Sequence, residues 1–385
     1  MASYKSASLA RLLTQAGTEV DVVLSRSARE FVGAVTFEAL TGRPVHAALI
    51  AEGHALDHIR LARAAHAVIV APATADFLAR AATGQADDLL TACLLATTAP
   101  VLVMPAMNDR MWAHPQTTRN VAHLREIGYT VVDPDVGELA VGEGTGPGRM
   151  PEPEAILAHI GRMLEPRGPL SGRSVLVTAG PTREALDPVR FLSNRSSGKM
   201  GVAIAAAAWR RGAHVTLVTG PTGTPAPVGV RLVPVQSAAD MHAAVAASLP
   251  ASDVLVMAAA PADFRPESVA EQKIKKADAP EAIALAPTAD ILRSTAGRRR
   301  DGTVVVGFAL ETERVIENAR AKLATKALDL IVVNDATEAG AGFEVDTNRV
   351  TLIAAGCEPE ALPLMSKAEV ADAILDRVER MVCGP

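Results

Sequence analysis

A chain of 385 residues, 49% hydrophobic and 21% charged, has the make-up of a core-forming globular protein of two domains, which excludes a disordered chain. A formal net charge of -5 gives no basic field to hold a nucleic-acid backbone, and short clusters such as Arg298-Arg299-Arg300 read as helix-end caps, so nucleic acid is not an expected partner. Cys93, Cys357 and Cys383 have neither metal-ligand spacing nor an even disulfide framework, no apolar run is long enough to span a bilayer and no leader pattern opens the chain; free thiols in the cytoplasm are expected, with no membrane partner.

Residues 4–15 read as an amphipathic helix with Leu9, Leu12 and Leu13 on one face, and 18–24 then read as a strand. Doubly wound domains instead open with a buried strand whose turn meets phosphate at a helix N-terminus. The expectation is that Met1 is an internal methionine with such a strand upstream; a variant fold beginning with a helix is the other reading. Residues 68–73 and 101–106 are short apolar runs bounded by proline, suited to strands buried on both faces. Helical patterns lie at 74–82, 87–96, 115–127 and 152–164. Residues 162–172, rich in Pro, Gly and Arg, mark the boundary between domains 1–165 and 166–385. Beyond it, 174–178, 214–219, 254–258, 304–308 and 330–334 are the expected strands, with helices at 199–211, 238–248, 312–326 and 367–381. The alternation places both domains in the α/β class, each doubly wound.

Several motifs fail on inspection. Gly198-Lys199 is not a phosphate-binding P-loop, because position 193 is Ser and Met200 replaces the hydroxyl that would hold magnesium. No G-x-G-x-x-G follows the strand ending near Ala179, which disfavours a dinucleotide cofactor. His54 and His58 have helical i, i+4 spacing, yet no acidic residue completes a metal site beside them. The informative segments are Ser193 to Gly201, Met257 to Pro266 and Lys273-Ile274-Lys275-Lys276. They put an amide, a carboxylate and several cations at the ends of predicted strands, where an open α/β sheet binds its ligand. Taken alone, the lysine run also reads as a solvated patch, His58 as a histidine at a helix start and Asn108 as a helix N-cap.

Order and identity of these segments carry a resemblance. Ala2-Ser3-Tyr4-Lys5-Ser6, His58-Ile59-Arg60-Leu61, Ala71-Pro72-Ala73-Thr74-Ala75-Asp76, Pro105-Ala106-Met107-Asn108 and Gly146-Pro147-Gly148-Arg149-Met150 resemble phosphopantothenoylcysteine decarboxylases of the flavin-containing cysteine decarboxylase family. Ser193 to Gly201, Ala262-Asp263-Phe264-Arg265-Pro266, Lys273 to Lys276 and Gly307-Phe308-Ala309-Leu310-Glu311-Thr312 stand in the order of phosphopantothenate-cysteine ligases. Together they are similar to bacterial bifunctional proteins of coenzyme A biosynthesis. The resemblance implies a flavodoxin-like flavoprotein domain followed by a Rossmann-like ligase domain. It also implies trimers through the first, dimers through the second and a possible dodecamer.

It implies chemistry as well. In the second domain the carboxylate of 4'-phosphopantothenate attacks the α-phosphate of CTP, with Mg2+, and cysteine's amine then displaces CMP. Lys273 corresponds to the lysine needed for this activity, and Asn194 and Arg190 to residues that hold the acyl-cytidylate. Met257, Ala258, Ala259, Asp263, Phe308, Lys322 and Lys326 correspond to the nucleotide site, as does Thr288-Ala289-Asp290-Ile291, where the family has Asn-Pro-Asp-Ile. In the first domain FMN supplies the electron sink that decarboxylation of an acyl-cysteine requires. His58 corresponds to the catalytic histidine and Asn108 to the substrate-binding asparagine. Ser25, Phe31, Ala73, Thr74 and Thr91 are implied FMN contacts; each also reads as a helix cap.

Two departures stand out. The family's flap carries Ala-Cys-Gly with a proton-donating Cys, whereas this chain has Ala140-Val141-Gly142, with Glu143 the nearest alternative donor. The glycine-rich first turn has no counterpart after Met1. They motivate a rival expectation, a ligase whose flavin domain is an oligomerisation scaffold. A non-enzymatic flavin-domain regulator is the other rival, set against an intact ligase signature.

Overall fold

The computed structural model describes residues 2–50, 55–165, 167–276, 281–311, 314–335 and 345–383. It divides into two units, Met1–Leu164 and Glu165–Pro385. In the first, α1 (Ser3–Gln15) is followed by β1 (Val22–Val23), α2 (Ala34–Thr41), β2 (Val45–His46), α3 (Asp57–Ala64) and β3 (Val68–Ala73). Next come α4 (Ala75–Ala82), α5 (Leu89–Ala96), β4 (Val101–Pro105), α6 (Asp109–Ala113), α7 (Pro115–Glu126) and β5 (Thr130–Val131). The hairpin of β6 (Asp135–Glu138) and β7 (Thr145–Arg149) and helix α8 (Pro153–Leu164) complete it. β1 and β2 pair in parallel, and β3, β4 and β5 form a parallel sheet with β4 at its centre.

β4 shows why its sequence is a continuous apolar run. Val101 and Val103 pack among Phe77, Leu78 and Leu124 on one face, while Leu102 and Met104 pack among Leu9, Leu13 and Ile156 on the other. Period-two alternation gives each face its own core, so no position can be polar. A fully buried leucine such as Leu102 holds roughly 2–5 kcal/mol against truncation to alanine. Buried Lys5 fixes α1 by donating to Met150 O at 2.7 Å and Glu152 Oε1 at 2.8 Å.

In the second unit, β8 (Ser174–Ala179) leads into the hairpin of β9 (Arg183–Ala185) and β10 (Phe191–Ser193). α9 (Lys199–Arg210), β11 (His214–Thr219), β12 (Arg231–Pro234), α10 (Ala238–Ser248) and β13 (Val254–Met257) follow. A second hairpin joins β14 (Phe264–Pro266) to β15 (Leu285–Pro287), ahead of the one-turn helix α11 (Ile291–Ser294). β16 (Val304–Glu311), α12 (Val315–Thr325), β17 (Leu330–Asp335), β18 (Thr347–Asn348), β19 (Thr351–Ala354), β20 (Glu360–Ala361), β21 (Met365–Ser366) and α13 (Lys367–Val382) end the chain.

Eight strands form one sheet in the order β12-β11-β8-β13-β16-β17-β19-β20, parallel through β17 and antiparallel after it. Counted from β8, the parallel part runs 3-2-1-4-5-6, the Rossmann order, and its direction of winding reverses between β8 and β13. α10 and α12 bury Met241, Val245, Ala319 and Leu323 against one face. α9 and α13 cover the other. Buried Arg211, just past α9, is clasped by Asp372, Asp376 and Glu379 of α13 at 3.1, 2.7 and 3.1 Å. A guanidinium removed from water needs such partners.

The expected strand at 18–24 contracts to Val22–Val23, because only two residues find a partner in β2. The predicted helix 312–326 begins at Val315 among the described residues, with 312–313 outside them, as is His54. Among the described residues no helix is long and apolar enough to cross a membrane.

All three cysteines are free. Burial, with the charges of Asp57 and Asp88 added, pushes the Cys93 thiol up to about 11. Because the thiolate is the reactive form, a thiol reagent at about pH 8 is expected to modify exposed Cys357 and Cys383, and Cys93 only after denaturation. A single rate for all three in the native protein would contradict this.

Candidate active site

Asn194, Ala258 and Ala259 lie at the switch point of the second unit's sheet. β8 ends at Ala179 and β13 at Met257, and their chains continue side by side through a bridge between Pro181 and Ala260. Two buried threonines hold this crevice: Thr178 Oγ1 accepts from Ala259 N at 3.1 Å and Thr182 Oγ1 accepts from Ala262 N at 2.9 Å. Neither stood out in the sequence, since a lone Thr in a strand signals only β-propensity.

The missing glycine fingerprint has an equivalent assembled from separate segments. Gly198 starts α9 with φ at 75°, and a Cβ there would lie 3.2 Å from Gly180 N. A Cβ on Gly201 would lie 2.7 Å from Thr178 O, so glycine sets the close approach of α9 to β8. Lys199, the residue that suggested a P-loop, instead donates to Asp346 Oδ1 at 2.6 Å.

The β9–β10 hairpin projects from this crevice and carries both residues expected to hold an acyl intermediate. Asn194 follows β10, and its Nδ2 donates to Ala260 O at 3.2 Å and Pro261 O at 3.0 Å. Both amide hydrogens are thereby used, leaving Oδ1 as the atom able to accept from a ligand. Arg190 lies in the hairpin loop, and its Nε and Nη2 donate to Asp187 Oδ2 at 2.9 and 2.6 Å. Nη2 also reaches Ile274 O at 2.9 Å, beside Lys273. Lys273 is exposed and has no ion-pair partner among the described residues.

The nucleotide-site candidates divide by burial. Met257 and Ile291 are core residues, whereas Ala258 and Ala259, just past β13, and Phe308, within β16, are half-buried and Asp263 and Ala289 are exposed. Thr288 Oγ1 donates to Ala262 O at 2.6 Å, and its N–H donates to Asp263 O at 2.9 Å, which ties 288–291 to the crevice. Asp290 caps α11 and pairs with Lys326 Nζ at 3.2 Å; burial opposes this charge, but the cap N–H groups and Lys326 hold its carboxyl below the usual range. Lys322 is half-buried on α12.

In the first unit, His58 is the second residue of α3 and borders a cavity of about 460 Å3 with Leu49, Ile50, Ala92 and Leu95. Its Nδ1 is buried without a hydrogen-bond partner among the described residues, an uncommon state for an imidazole nitrogen. Asp57 beside it pairs with His46 Nδ1 at 3.3 Å and Arg60 Nε at 3.2 Å. Asn108 does not line that cavity. It is the N-cap of α6, its Oδ1 accepting from Arg110 N at 2.9 Å, so its NH2 remains to donate. The β6–β7 hairpin docks against it through Met107 N donating to Gly148 O at 3.0 Å, and Val141 stands fully exposed at the hairpin tip.

The implied FMN contacts sit where backbone turns into helix. Ser25 Oγ accepts from Ala28 N at 3.2 Å, Thr74 caps α4 through Phe77 N at 3.2 Å, and Ala73 is wholly buried at the end of β3. Phe31 is exposed. Buried Thr91 turns its hydroxyl into a capping box with Asp88, donating to Oδ1 at 2.7 Å. Among the described residues no group of three or more His, Cys, Asp or Glu side chains is placed to hold a metal.

Comparison with known proteins accounts for both units. Residues 1–165 match the Flavoprotein family, and residues 170–381 match the family described as DNA/pantothenate metabolism flavoprotein C-terminal domain. The chain is 44% identical over 386 residues to the coenzyme A biosynthesis bifunctional protein CoaBC of Vibrio vulnificus, covering 99% of this chain and 96% of that one. It is 48% identical over 393 residues to the protein of the same name from Mycolicibacterium smegmatis, covering 98% and 94%. A solved C-terminal domain of a coenzyme A biosynthesis bifunctional protein CoaBC is 42% identical, with a TM-score of 0.49 over 57% of this chain and 100% of that one. Matched in both halves and along nearly its whole length, the chain belongs to the family of bifunctional coenzyme A biosynthesis proteins.

Proposed function

We propose that the second unit ligates 4'-phosphopantothenate to cysteine with CTP, and that the first decarboxylates the product to 4'-phosphopantetheine. One observation carries the ligase assignment: Asn194 stands at the switch point of a Rossmann-ordered sheet, and the hairpin that it follows brings Arg190 to the segment bearing Lys273. Oxide is a poor leaving group, so a carboxylate must be activated before an amine displaces it. Lys273 offers an uncompensated positive charge for the phosphates, and Asn194 Oδ1 offers an acceptor for the attacking amine. Mg2+ would enter carried by the triphosphate and its waters, the usual way it is held beside phosphates.

The residues of the first unit fit a flavin. The parallel strand β3 ends at Ala73 against the N-terminus of α4, where N–H groups suit a phosphate, and His58 Nδ1, buried with no hydrogen-bond partner among the described residues, is a polar atom able to engage a ligand. The chemistry a flavin would supply there is an electron sink for the decarboxylation. His58 would take or steer the proton, and Asn108 would donate to the departing carboxylate through Nδ2. Glu143, exposed in the tip turn beside Val141, is the group there able to donate a proton. Glu143→Gln is expected to stall the final reduction, leaving the enethiol in the products; complete turnover would exclude it. Three free thiols support a reducing compartment, the cytoplasm.

The test is a coupled assay with 4'-phosphopantothenate, cysteine, CTP and Mg2+, with products followed by mass spectrometry. Phosphopantetheine with CO2 is the expected result. Phosphopantothenoylcysteine alone would favour the reading suggested by Val141, a ligase on a flavin scaffold, and neither product would overturn the proposal.

A further inference from the structure

Asp187 has its side chain fully buried and lies in the loop of the β9–β10 hairpin, yet it was invisible as a site residue. Its two oxygens do different work. Oδ1 is local, accepting from Val189 N and Arg190 N, both at 2.8 Å, which closes a turn around Pro188. Oδ2 reaches across the site. It accepts from Arg190 Nε at 2.9 Å, Arg190 Nη2 at 2.6 Å and Ile274 N at 3.2 Å. Arg190 Nη2 closes the triangle on Ile274 O. One buried oxygen thus joins a guanidinium on the first hairpin to the backbone beside Lys273, which lies between the strands of the β14–β15 hairpin.

We infer that Asp187 is a positioning residue of the ligase, setting Arg190 and Lys273 in register with each other so that the acyl group and the phosphates are held in one geometry. The inference rests on the ligase assignment above. Its physical basis is that Lys273 is exposed and its segment carries two more lysines, Lys275 and Lys276, which repel it and one another. Alone, such a segment would sample many placements. Ala270 N donates to Leu186 O at 3.0 Å, a main-chain tether three residues before Lys273, and the contact at Ile274 fixes its other side. The hydrogen bonds from Arg190, above all, hold the Asp187 carboxyl far below the usual range, so the carboxylate keeps its charge throughout the pH range of an assay.

Asparagine separates the two functions of this side chain. Asp187→Asn keeps an Oδ1 acceptor for the turn but puts an NH2 group where Arg190 and Ile274 both donate. Asp187→Ser, with one acceptor oxygen, is the second variant should the first fold poorly. In the full-length protein each is expected to lower kcat for CTP-dependent pyrophosphate release and for ligation by roughly tenfold to a hundredfold, the scale of a small misplacement of reacting groups. KM for 4'-phosphopantothenate rises through Arg190, the loss of kcat exceeds what any lowering of the melting temperature accounts for, and hydrogen exchange quickens in residues 271–276. Arg190→Ala and Lys273→Gln are measured alongside. If Arg190→Ala is impaired while both Asp187 variants keep wild-type kcat and KM, the coupling is overturned and the ligase site stands. Activity lost only in proportion to a lowered melting temperature, with exchange at 271–276 unchanged, overturns it in favour of a structural role. If Arg190→Ala and Lys273→Gln both ligate normally, the site assignment itself fails, and the inference with it.

Discussion

Lys273→Gln is expected to slow CTP-dependent ligation by about 10²- to 10³-fold, the usual loss when one preorganised charge at a reacting centre is removed. Glutamine keeps the length and polarity of the side chain and removes only the charge. The chain surrounding Lys273 explains why the effect should be concentrated there. Its neighbours Lys275 and Lys276 are equally exposed, but Ile274 anchors the backbone beside Lys273 to Asp187 and Arg190 in the β9–β10 hairpin loop. Lys276→Gln is therefore expected to ligate at close to the wild-type rate. Equal losses in the two variants would turn the lysine run into a diffuse positive field, the solvated patch that composition alone suggests. Decarboxylation of supplied phosphopantothenoylcysteine should be untouched by either, because no group of the first unit is altered.

The converse variant is His58→Asn, expected to reduce decarboxylation by about 10²- to 10⁴-fold, the range for a lost general acid or base. Asparagine retains hydrogen-bonding capacity at the α3 start but cannot carry a proton near neutral pH. Measured with supplied phosphopantothenoylcysteine, CO2 release should fall while ligation stays at the wild-type rate. The environment argues for more than a helix-start role: the neighbouring carboxylate of Asp57 is engaged by His46 and Arg60, while His58 Nδ1 is buried with no such bond among the described residues. A variant that decarboxylates normally would return His58 to a packing residue and detach the cavity beside it from the chemistry.

The parallel strands were the most legible part of this fold. A strand covered on both faces has to be apolar throughout, and β4, β8 and β13 announce themselves for that reason. The predicted helices 238–248 and 367–381 end within a residue of α10 and α13, helped by Ser237 and Ser366, whose side chains form capping boxes. The two hairpins of the second unit were not seen. Their strands are three residues long, too short for alternation to register, and yet they carry or flank Asn194, Arg190 and Lys273. Asp187 could not be singled out either, since its partner Ile274 lies 87 residues away and an Asp before Pro reads simply as a turn. Asn108 was legible in both its guises: it does cap α6, and the cap consumes only its oxygen.

The clasp between Arg211 and α13 bears on how the chain is made. Arg211 is buried, and its carboxylate partners come from positions 372 to 379, 161 to 168 residues after it. Until they emerge from the ribosome, docking α9 on the sheet would bury a guanidinium unpaired, at a cost of about 3–5 kcal/mol. The first unit runs to residue 164 and is translated before any of these partners. Synthesis from the N-terminus therefore lets the flavoprotein half fold first and makes the docking of α9 in the ligase half wait for α13.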